Sequence, residues 1–298
     1  MNNVHTPVLL QETLEDLAVA PTDTVVDATA GGGGHAKAIA QLLGPGGTII
    51  LLDQDEDALN RAKQAVGKFG GSAMFLKTNF KNIEEVLREE GIEEVHKVLF
   101  DLGLSTNQLE LSGRGFSFKR NEPLLMTMDK DSELTAYEIV NTYPEEEIAN
   151  IIYEYGEERY SRRIARAIVA YREKKVIGTS VELAEIVLQN VPGAYKKDRI
   201  HPATRTFQGL RIAVNDELGS LRRGLHGAWE KLSVNGRISC ISFHSLEDRI
   251  VKQFFASLVR EEVGELVHKK PITPTPGETK LNPKSRSAKL RTITKINR

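Results

Sequence analysis

A run of four consecutive glycines with acidic residues nearby is the first feature of this sequence that could carry chemistry. Gly31 to Gly34 lie between Asp27 and His35, where a short β-branched run gives way to a helical pattern over residues 35–43. Glycines at such a junction let the backbone approach a ligand closely, and the helix N-terminus offers free N–H groups. Because a surface turn has no need of four glycines, the pattern predicts a ligand-binding loop.

Two classes of cofactor fit a loop of this kind. Gly31, Gly33 and Ala36 match the G-x-G-x-x-G/A pattern of dinucleotide sites, and Asp53 follows where a ribose-binding acid belongs. Asp27 separates the two classes, because a carboxylate at the end of the first strand would repel a pyrophosphate. S-adenosyl-L-methionine has no phosphate and carries an ammonium group. The acids therefore favour a methyltransferase over a nicotinamide-dependent oxidoreductase, which stays as the alternative.

Alternating strands and helices must position these residues. Strand candidates lie at residues 24–28, 48–53, 74–77, 98–101 and 237–242, with helical patterns at 35–43 and 82–90. This alternation predicts a parallel sheet covered on both faces. Asp53, Phe80 and Asp101 each follow a strand, at the carboxyl edge where such sheets bind ligands. Phe80 is placed to stack on adenine, although a lone phenylalanine is equally often part of a core.

The alternation stops after Asp101, and the next hundred residues show helical patterns only. One helix is predicted to begin with the capping box of Thr179 and to end before Pro192; a long helical face spans 210–232, and residues 290–296 form a last strand candidate. The predicted fold class is α/β: a doubly wound, Rossmann-like class I methyltransferase domain with an inserted all-helical domain. Residues 1–105 and 208–298 form the first domain, and residues 106–207 form the insert.

Composition limits the remaining possibilities. The 298 residues carry a net charge of −1, so a nucleic-acid surface must be a local basic patch. Cys240 is the only cysteine, which excludes an intrachain disulfide and a cysteine-based zinc cluster, and we expect no metal. Neither a signal peptide nor a membrane-spanning run is visible, so we expect a cytoplasmic protein without a membrane partner. The oligomeric state is left open, a homodimer included.

Seven strings of residues together resemble one family, the bacterial small-subunit ribosomal RNA cytosine-N4 methyltransferases. The similarity covers nearly the whole chain and includes residues 5–10, 27–35, 101–109, 114–118, 155–159, 201–208 and 241–249. The glycine loop alone is a weak signal, whereas the last two strings together are highly specific.

The resemblance implies an S-adenosylmethionine site, an inserted helical domain, and a substrate cytidine in the decoding region of 16S ribosomal RNA in the small subunit. The cofactor residues that it implies are Gly33, Gly34, His35, Asp53, Phe80, Asp101 and Gln108. One departure concerns Leu125 and Thr127, which stand where the family usually has Asp and Arg. That departure motivates a third hypothesis, that the protein is a ribosome-assembly factor that keeps the fold but has lost methyl transfer.

Methylation of a cytosine amine makes specific demands, because its lone pair is delocalised into the ring. The reaction needs in-line alignment and an acceptor for the N–H proton. The acceptor could be Asp101, which is the catalytic candidate, or a backbone carbonyl beside it. A base-stacking aromatic would come from Phe116, Phe118 or Phe243, and the sequence does not choose among them. His244 is a second base candidate, although a histidine beside a strand end is more often structural.

Cations for RNA phosphates are available in two places. Arg159, Arg162, Arg163 and Arg166 lie at helical spacing, where Glu154, Glu157 and Glu158 could instead balance them. The C-terminal tail adds Lys284, Arg286, Lys289, Arg291, Lys295 and Arg298 with few acids, which favours a role in RNA binding.

Overall fold

The computed structural model describes residues 7–103, 109, 112–197 and 200–297. The chain divides into a sheet unit, residues 1–103 with 218–298, and a helical unit, residues 104–217. These boundaries lie two residues before and ten residues after those expected from the sequence, which were 105/106 and 207/208. The second differs because one helix runs without interruption from Ala203 to Asn215, and its apolar residues belong to the core of the helical unit.

Seven strands in the described part of the chain form one sheet in the sheet unit. They are β1 (Thr24–Asp27), β2 (Thr48–Asp53), β3 (Ser72–Lys77), β4 (Val95–Asp101), β5 (Leu232–Ser242), β6 (Gly264–Leu266) and β7 (Lys289–Lys295). The strand order is β3-β2-β1-β4-β5-β7-β6. Strands β1 to β5 pair in parallel, whereas β7 is antiparallel to both of its neighbours. The strand β6 was not predicted, since three residues carry too little pattern to detect.

This strand order has two consequences for the site. The chain proceeds outward from β1 to β3 and then returns to β4, so the topological switch point lies between β1 and β4, where open α/β sheets bind their ligands. The antiparallel β7 inserted beside β5 departs from the 3-2-1-4-5-6 order of dinucleotide-binding domains. The topology therefore weighs against the oxidoreductase alternative.

Twelve α-helices in the described residues complete the two units. They are α1 (Leu10–Leu17), α2 (Gly34–Leu42), α3 (Glu56–Val66), α4 (Ile83–Glu89), α5 (Ala136–Thr142), α6 (Glu145–Glu154), α7 (Ser161–Arg172), α8 (Ser180–Gln189), α9 (Ala203–Asn215), α10 (Glu217–Lys231), α11 (Ser245–Arg260) and α12 (Pro276–Leu281). The capping box of Thr179 begins α8 as predicted. The single long helix expected over 210–232 is wrong, because Asp216 adopts a left-handed conformation with φ of 45° and separates α9 from α10.

Each unit has its own apolar core. In the sheet unit, Val25, Ile49 and Leu99 on neighbouring strands are fully buried together with Ile39 of α2. Strands buried on both faces account for the continuous apolar runs seen in the sequence. In the helical unit, the buried residues come from every helix from α5 to α9 and include Ile139, Ile152, Ile164, Val187 and Leu210.

Candidate cofactor site

Three aspartates lie at the carboxyl ends of three adjacent strands. Asp27 ends β1, Asp53 ends β2, and Asp101 ends β4. The pairing register sets Asp27 beside Leu51 of β2 and Leu99 of β4, so both neighbouring strands extend two residues beyond it. The structure therefore brings together at one edge the three acids that the sequence places at separate strand ends.

The glycine loop is fixed by hydrogen bonds to one of these acids. The backbone N–H of Gly31 donates to Oδ2 of Asp53 at 2.9 Å, and the N–H of Asp55 donates to Oδ1 at 2.9 Å. Asp53 thus holds the loop and begins the turn into α3, and each of its oxygens keeps a further lone pair for a ligand.

Close packing explains why two of the loop residues are glycines. A Cβ atom on Gly33, whose φ is +77°, would lie 2.7 Å from Cα of Ala62, and one on Gly34 would lie 2.4 Å from Cγ of Pro7. A Cβ on Gly32 would meet no atom within 4 Å. Gly33 and Gly34 are therefore required by the packing of the protein itself, whereas the open side of the loop lies at Gly32.

His35 and Asp101 meet at the start of α2. Nε2 of His35, which is buried, lies 3.6 Å from Oδ2 of Asp101. Oδ1 of Asp101 is buried and has no hydrogen-bond partner among the described residues. A buried acceptor atom without a hydrogen-bond partner needs an explanation, and a group that acts on a ligand at the switch point of the sheet provides one.

The electrostatics of the three acids favour a cation. Burial raises the pKa of Asp27 to about 7 and the nearby charge of Asp53 adds to the shift, although hydrogen bonds from Thr29 oppose it. Burial, with Asp27 and Glu247 nearby, raises the pKa of Asp101 to about 8. Burial also raises the pKa of Asp53. A cationic ligand would stabilise the ionised carboxylates, whereas a pyrophosphate would add repulsion. The donor set therefore fits S-adenosylmethionine.

Phe80 stands at the edge of this group and is half-buried. Its ring meets Phe100 edge-on, with centroids 5.6 Å apart, and a Cβ on Gly224 would lie 2.7 Å from its Cδ2 atom. Part of the ring thus packs against the protein, which leaves the adenine-stacking role as a proposal. Gln108, implied by the resemblance, lies outside the described residues.

One residue of the site went unnoticed in the sequence. Thr29 accepts a hydrogen bond from the backbone N–H of Asp101 at 2.7 Å and bonds to the carboxylate of Asp27 through its own N–H at 3.1 Å. Its position inside the strand-to-helix loop was the available signal. Its partner on β4, however, lies 72 residues away in the chain.

His244 has a structural role. It is the N-cap of α11, where Nδ1 accepts a hydrogen bond from the N–H of Glu247 at 3.4 Å and Nε2 lies 3.1 Å from Oε1 of Glu247. Oε2 of Glu247 in turn accepts from the N–H of Phe243 at 2.8 Å. These contacts favour the structural interpretation of His244 over that of a general base.

The three candidate stacking aromatics have different surroundings. Phe116 is buried in the core of the helical unit, and Phe118 stacks on His201 with centroids 4.5 Å apart. Phe243 is half-buried, and a Cβ on Gly103 would lie 3.2 Å from its Cδ2 atom. Of the three, Phe243 alone belongs to the sheet unit, beside the segment that follows Asp101.

The basic residues of the tail mostly have structural partners. Lys289 and Arg291 bind the carboxylate of Asp248 at 2.8 Å and 2.7 Å. Nζ of Lys295 donates to the carbonyl oxygens of Trp229 and Leu232, both at 2.9 Å. These three cations therefore have partners within the protein, so their charge alone is no longer evidence that they bind RNA.

The four arginines predicted to contact RNA, of which Arg159 precedes α7 and the others lie within it, are exposed, and the partners of Arg159 and Arg166 differ from those expected. Arg159 stacks over the rings of Tyr160 and Tyr195, and Arg166 lies 3.7 Å from Glu145. Arg162 and Arg163 are exposed and form no ion pair with any residue that the structure describes. Glu158 forms no ion pair with these arginines in the part of the chain that the structure describes. It is fully buried and accepts hydrogen bonds from the N–H of Tyr160 and the hydroxyl of Tyr195.

Two strings that carry the resemblance are packed together within the helical unit. Nε2 of Gln208 donates to the carbonyl oxygen of Tyr155 at 3.0 Å, and Nη1 of Arg205 donates to that of Glu157 at 3.3 Å. A Cβ on Gly156 would lie 2.4 Å from the carbonyl oxygen of Arg205. Packing within the protein, rather than contact with a ligand, therefore explains part of why these strings are characteristic of the family.

No helix in the described residues is both long and apolar enough to cross a membrane. The seven-stranded sheet, the glycine loop and the three acids at the switch point define a Rossmann-like class I methyltransferase.

Comparison with known proteins names the family. Residues 2–296 match the MraW methylase family, and the chain belongs to that family. A protein of Symbiobacterium thermophilum named "Ribosomal RNA small subunit methyltransferase H" is 45% identical and is aligned over 98% of this chain and 96% of its own length. Proteins of the same name from Carboxydothermus hydrogenoformans and a Paenibacillus species are 46% and 44% identical, over 98% of this chain and 98% and 99% of their own lengths.

The family assignment confirms the predicted fold class, the methyltransferase activity and S-adenosylmethionine as the cofactor. The oxidoreductase alternative is wrong.

Proposed function

We propose that this chain transfers the methyl group of S-adenosylmethionine to the N4 amine of a cytidine in the decoding region of 16S ribosomal RNA in the small subunit. The observation that carries the proposal is the cluster of Asp27, Asp53 and Asp101 around the glycine loop, with one buried oxygen of Asp101 unpaired among the described residues. The names of the relatives support the RNA substrate, and the sequence resemblance supports the position on the base. We place the activity in the cytoplasm, where small subunits are available.

Each predicted residue has a role in this proposal. Asp27 pairs with the ammonium group of the cofactor, and Asp53 accepts hydrogen bonds from the ribose hydroxyls. The loop at Gly33, Gly34 and His35 supports the methionine part, where Gly33 and Gly34 let the loop pack closely. Phe80 presents the unpacked part of its ring to adenine, and Gln108 completes the set that the resemblance implies.

The acceptor of the amine proton is Asp101. S-adenosylmethionine supplies an electrophilic methyl group on a sulfonium, and the amine must lose a proton when it is alkylated. A general base works best when its pKa lies near the pH at which the enzyme operates. Burial and the neighbouring acids raise the pKa of Asp101 to about 8. Its buried Oδ1 atom has no hydrogen-bond partner among the described residues.

The target base must leave any helix in which it is paired, because its amine is inaccessible within a stack. Phe243 is the proposed stacking partner, since it packs beside Gly103 directly after the strand of Asp101. We propose the exposed cations at the start of α7, Arg162 and Arg163 above all, as contacts for RNA phosphates.

Transfer of a labelled methyl group to small subunits that lack the modification tests the proposal. We expect one methyl group per subunit, on N4 of one cytidine, and a rate at least tenfold lower for Asp101→Asn. Label on another base, or none on any subunit, would contradict the proposed reaction. Cofactor binding without any methyl transfer would favour the assembly-factor reading that Leu125 and Thr127 suggest.

A further inference from the structure

The hydroxyl of Thr29 lies between two acids on different strands. Thr29 belongs to the loop after β1, and its Oγ1 atom accepts the N–H of Asp101 at 2.7 Å. The carboxylate of Asp27 accepts the backbone N–H of Thr29 at 3.1 Å, and the nearby hydroxyl of Thr29 also lowers the pKa of that carboxylate. A hydroxyl has one proton and two lone pairs, so it can accept from the amide of Asp101 and still offer its proton to a neighbouring carboxylate. One residue thus joins the end of β4 to the end of β1.

This link acts against the electrostatic conflict in the site. Asp27 is buried and Asp101 is half-buried, both among other acids: Asp53 disfavours the ionised form of Asp27, and Asp27 with Glu247 disfavours that of Asp101. The hydrogen bonds from Thr29 are the contributions that oppose this for Asp27, because they stabilise its carboxylate. His35 of α2 faces Asp101, Asp53 of β2 faces Asp27, and Glu247 of α11 also raises the pKa of Asp101.

We infer that Thr29 is a positioning residue for the methyl-transfer site, whose hydroxyl holds the Asp101 backbone while its backbone N–H holds the Asp27 carboxylate. The inference rests on the proposed assignment of Asp27 and Asp101 to the cofactor site. Thr29 contacts neither cofactor nor substrate in this account. Thr29 keeps Asp27 ionised and oriented towards the ammonium group. It also holds the backbone of Asp101 in the position from which the Asp101 side chain reaches the amine.

Replacement by valine removes the hydroxyl and retains the β-branched shape, whereas serine retains the hydroxyl. For Thr29→Val we expect weaker binding of S-adenosylmethionine at pH 7, by up to about tenfold, since a rise of one in the pKa of Asp27 corresponds to a factor of ten. The pH at which binding is half-maximal should move upward, because Asp27 without its donor ionises at higher pH. Thr29→Ser should restore both values, and Thr29→Ala serves if the valine variant does not fold.

Thr292→Val is the matched control. Thr292 is buried and donates its hydroxyl to Asp16 at 2.7 Å, away from the glycine loop. It should lower the melting temperature and leave the affinity and pH profile of cofactor binding unchanged. If Thr29→Val and Thr29→Ala behave like this control, Thr29 is merely structural and the inference is wrong.

Calorimetry on Asp27→Asn and Asp101→Asn separates this inference from the proposal beneath it. If both variants bind S-adenosylmethionine as the unmodified protein does, the cofactor-site assignment fails and the role of Thr29 fails with it. If they bind more weakly while Thr29→Val binds normally at every pH, the site assignment stands and the inference about Thr29 alone is overturned.

Discussion

Two groups of buried aspartates in the sheet unit have opposite surroundings. Asp248 of α11 is desolvated, yet hydrogen bonds from Arg291 and Lys289 outweigh that effect and lower its pKa. Asp27 and Asp101 are desolvated as well, but their nearest charged neighbours include other acids, and the pKa values rise to about 7 and about 8. Lys289 and Arg291 provide the counter-charge of Asp248, whereas no described lysine or arginine bonds to Asp27 or Asp101 at the carboxyl edge of the sheet.

This contrast separates structural acids from functional ones. A buried carboxylate with its own cations is neutralised within the fold, whereas one without them lowers stability until a ligand brings the counter-charge. Four experiments test this contrast and the proposed function that rests on it, ordered by the size of the expected effect.

Asp101→Asn should lower the rate of methyl transfer by about 10²-fold or more, because general-base catalysis typically contributes that much. The affinity for S-adenosylmethionine should fall by a much smaller factor. Single-turnover kinetics and calorimetry measure the two quantities separately. Equal losses in both would make Asp101 a binding residue only.

Asp248→Asn should lower the free energy of unfolding by about 1–3 kcal/mol, because Lys289 and Arg291 lose a charge-assisted partner. Asp27→Asn should leave the cofactor-free protein as stable or more stable at pH 8, since it removes a buried charge without a counter-ion. Denaturant titration of both variants compares them directly. A loss of stability in Asp27→Asn as large as in Asp248→Asn would break the contrast.

Asp53→Ala should weaken the binding of S-adenosylmethionine by about 1–3 kcal/mol, because it removes a charge-assisted hydrogen bond in a partly buried site. Asp53 also holds the N–H groups of Gly31 and Asp55, so Asp53→Asn is the control that keeps one acceptor oxygen. Calorimetry measures both variants. Unchanged affinity in Asp53→Ala would remove Asp53 from the site.

Arg163→Glu should weaken RNA binding and make it less dependent on salt, lowering the slope of log K against log salt by about 0.7–0.9 per lost phosphate contact. Arg88→Glu, an exposed arginine at the end of α4, makes the same change of charge in the sheet unit and should affect binding less. Filter binding at several salt concentrations measures the slope. Equal effects of the two substitutions would indicate net charge rather than a contact surface.

The three acids could be predicted from the sequence because each ends a strand and topology brings strand ends together. Thr29 could not, since a threonine in a loop is ordinary until Asp101 is seen on the neighbouring strand. The ion pairs of Lys289 and Arg291 could not be predicted for the same reason, because Asp248 lies 41 residues before Lys289. The break at Asp216 was missed because the spacing of apolar residues continues across it, while the helical conformation of the backbone does not. Local patterns are therefore readable from the sequence, and pairings between distant residues are not.

We conclude that the desolvated acids at the carboxyl edge of the sheet are arranged to bind a cationic cofactor. The most direct measurement is the calorimetric affinity for S-adenosylmethionine of the unmodified protein and of Asp27→Asn between pH 6 and pH 9. The unmodified protein should bind more tightly as the pH rises through about 7, where Asp27 ionises, and Asp27→Asn should bind more weakly with a flatter profile. An affinity independent of pH in the unmodified protein, matched by Asp27→Asn, would contradict the account.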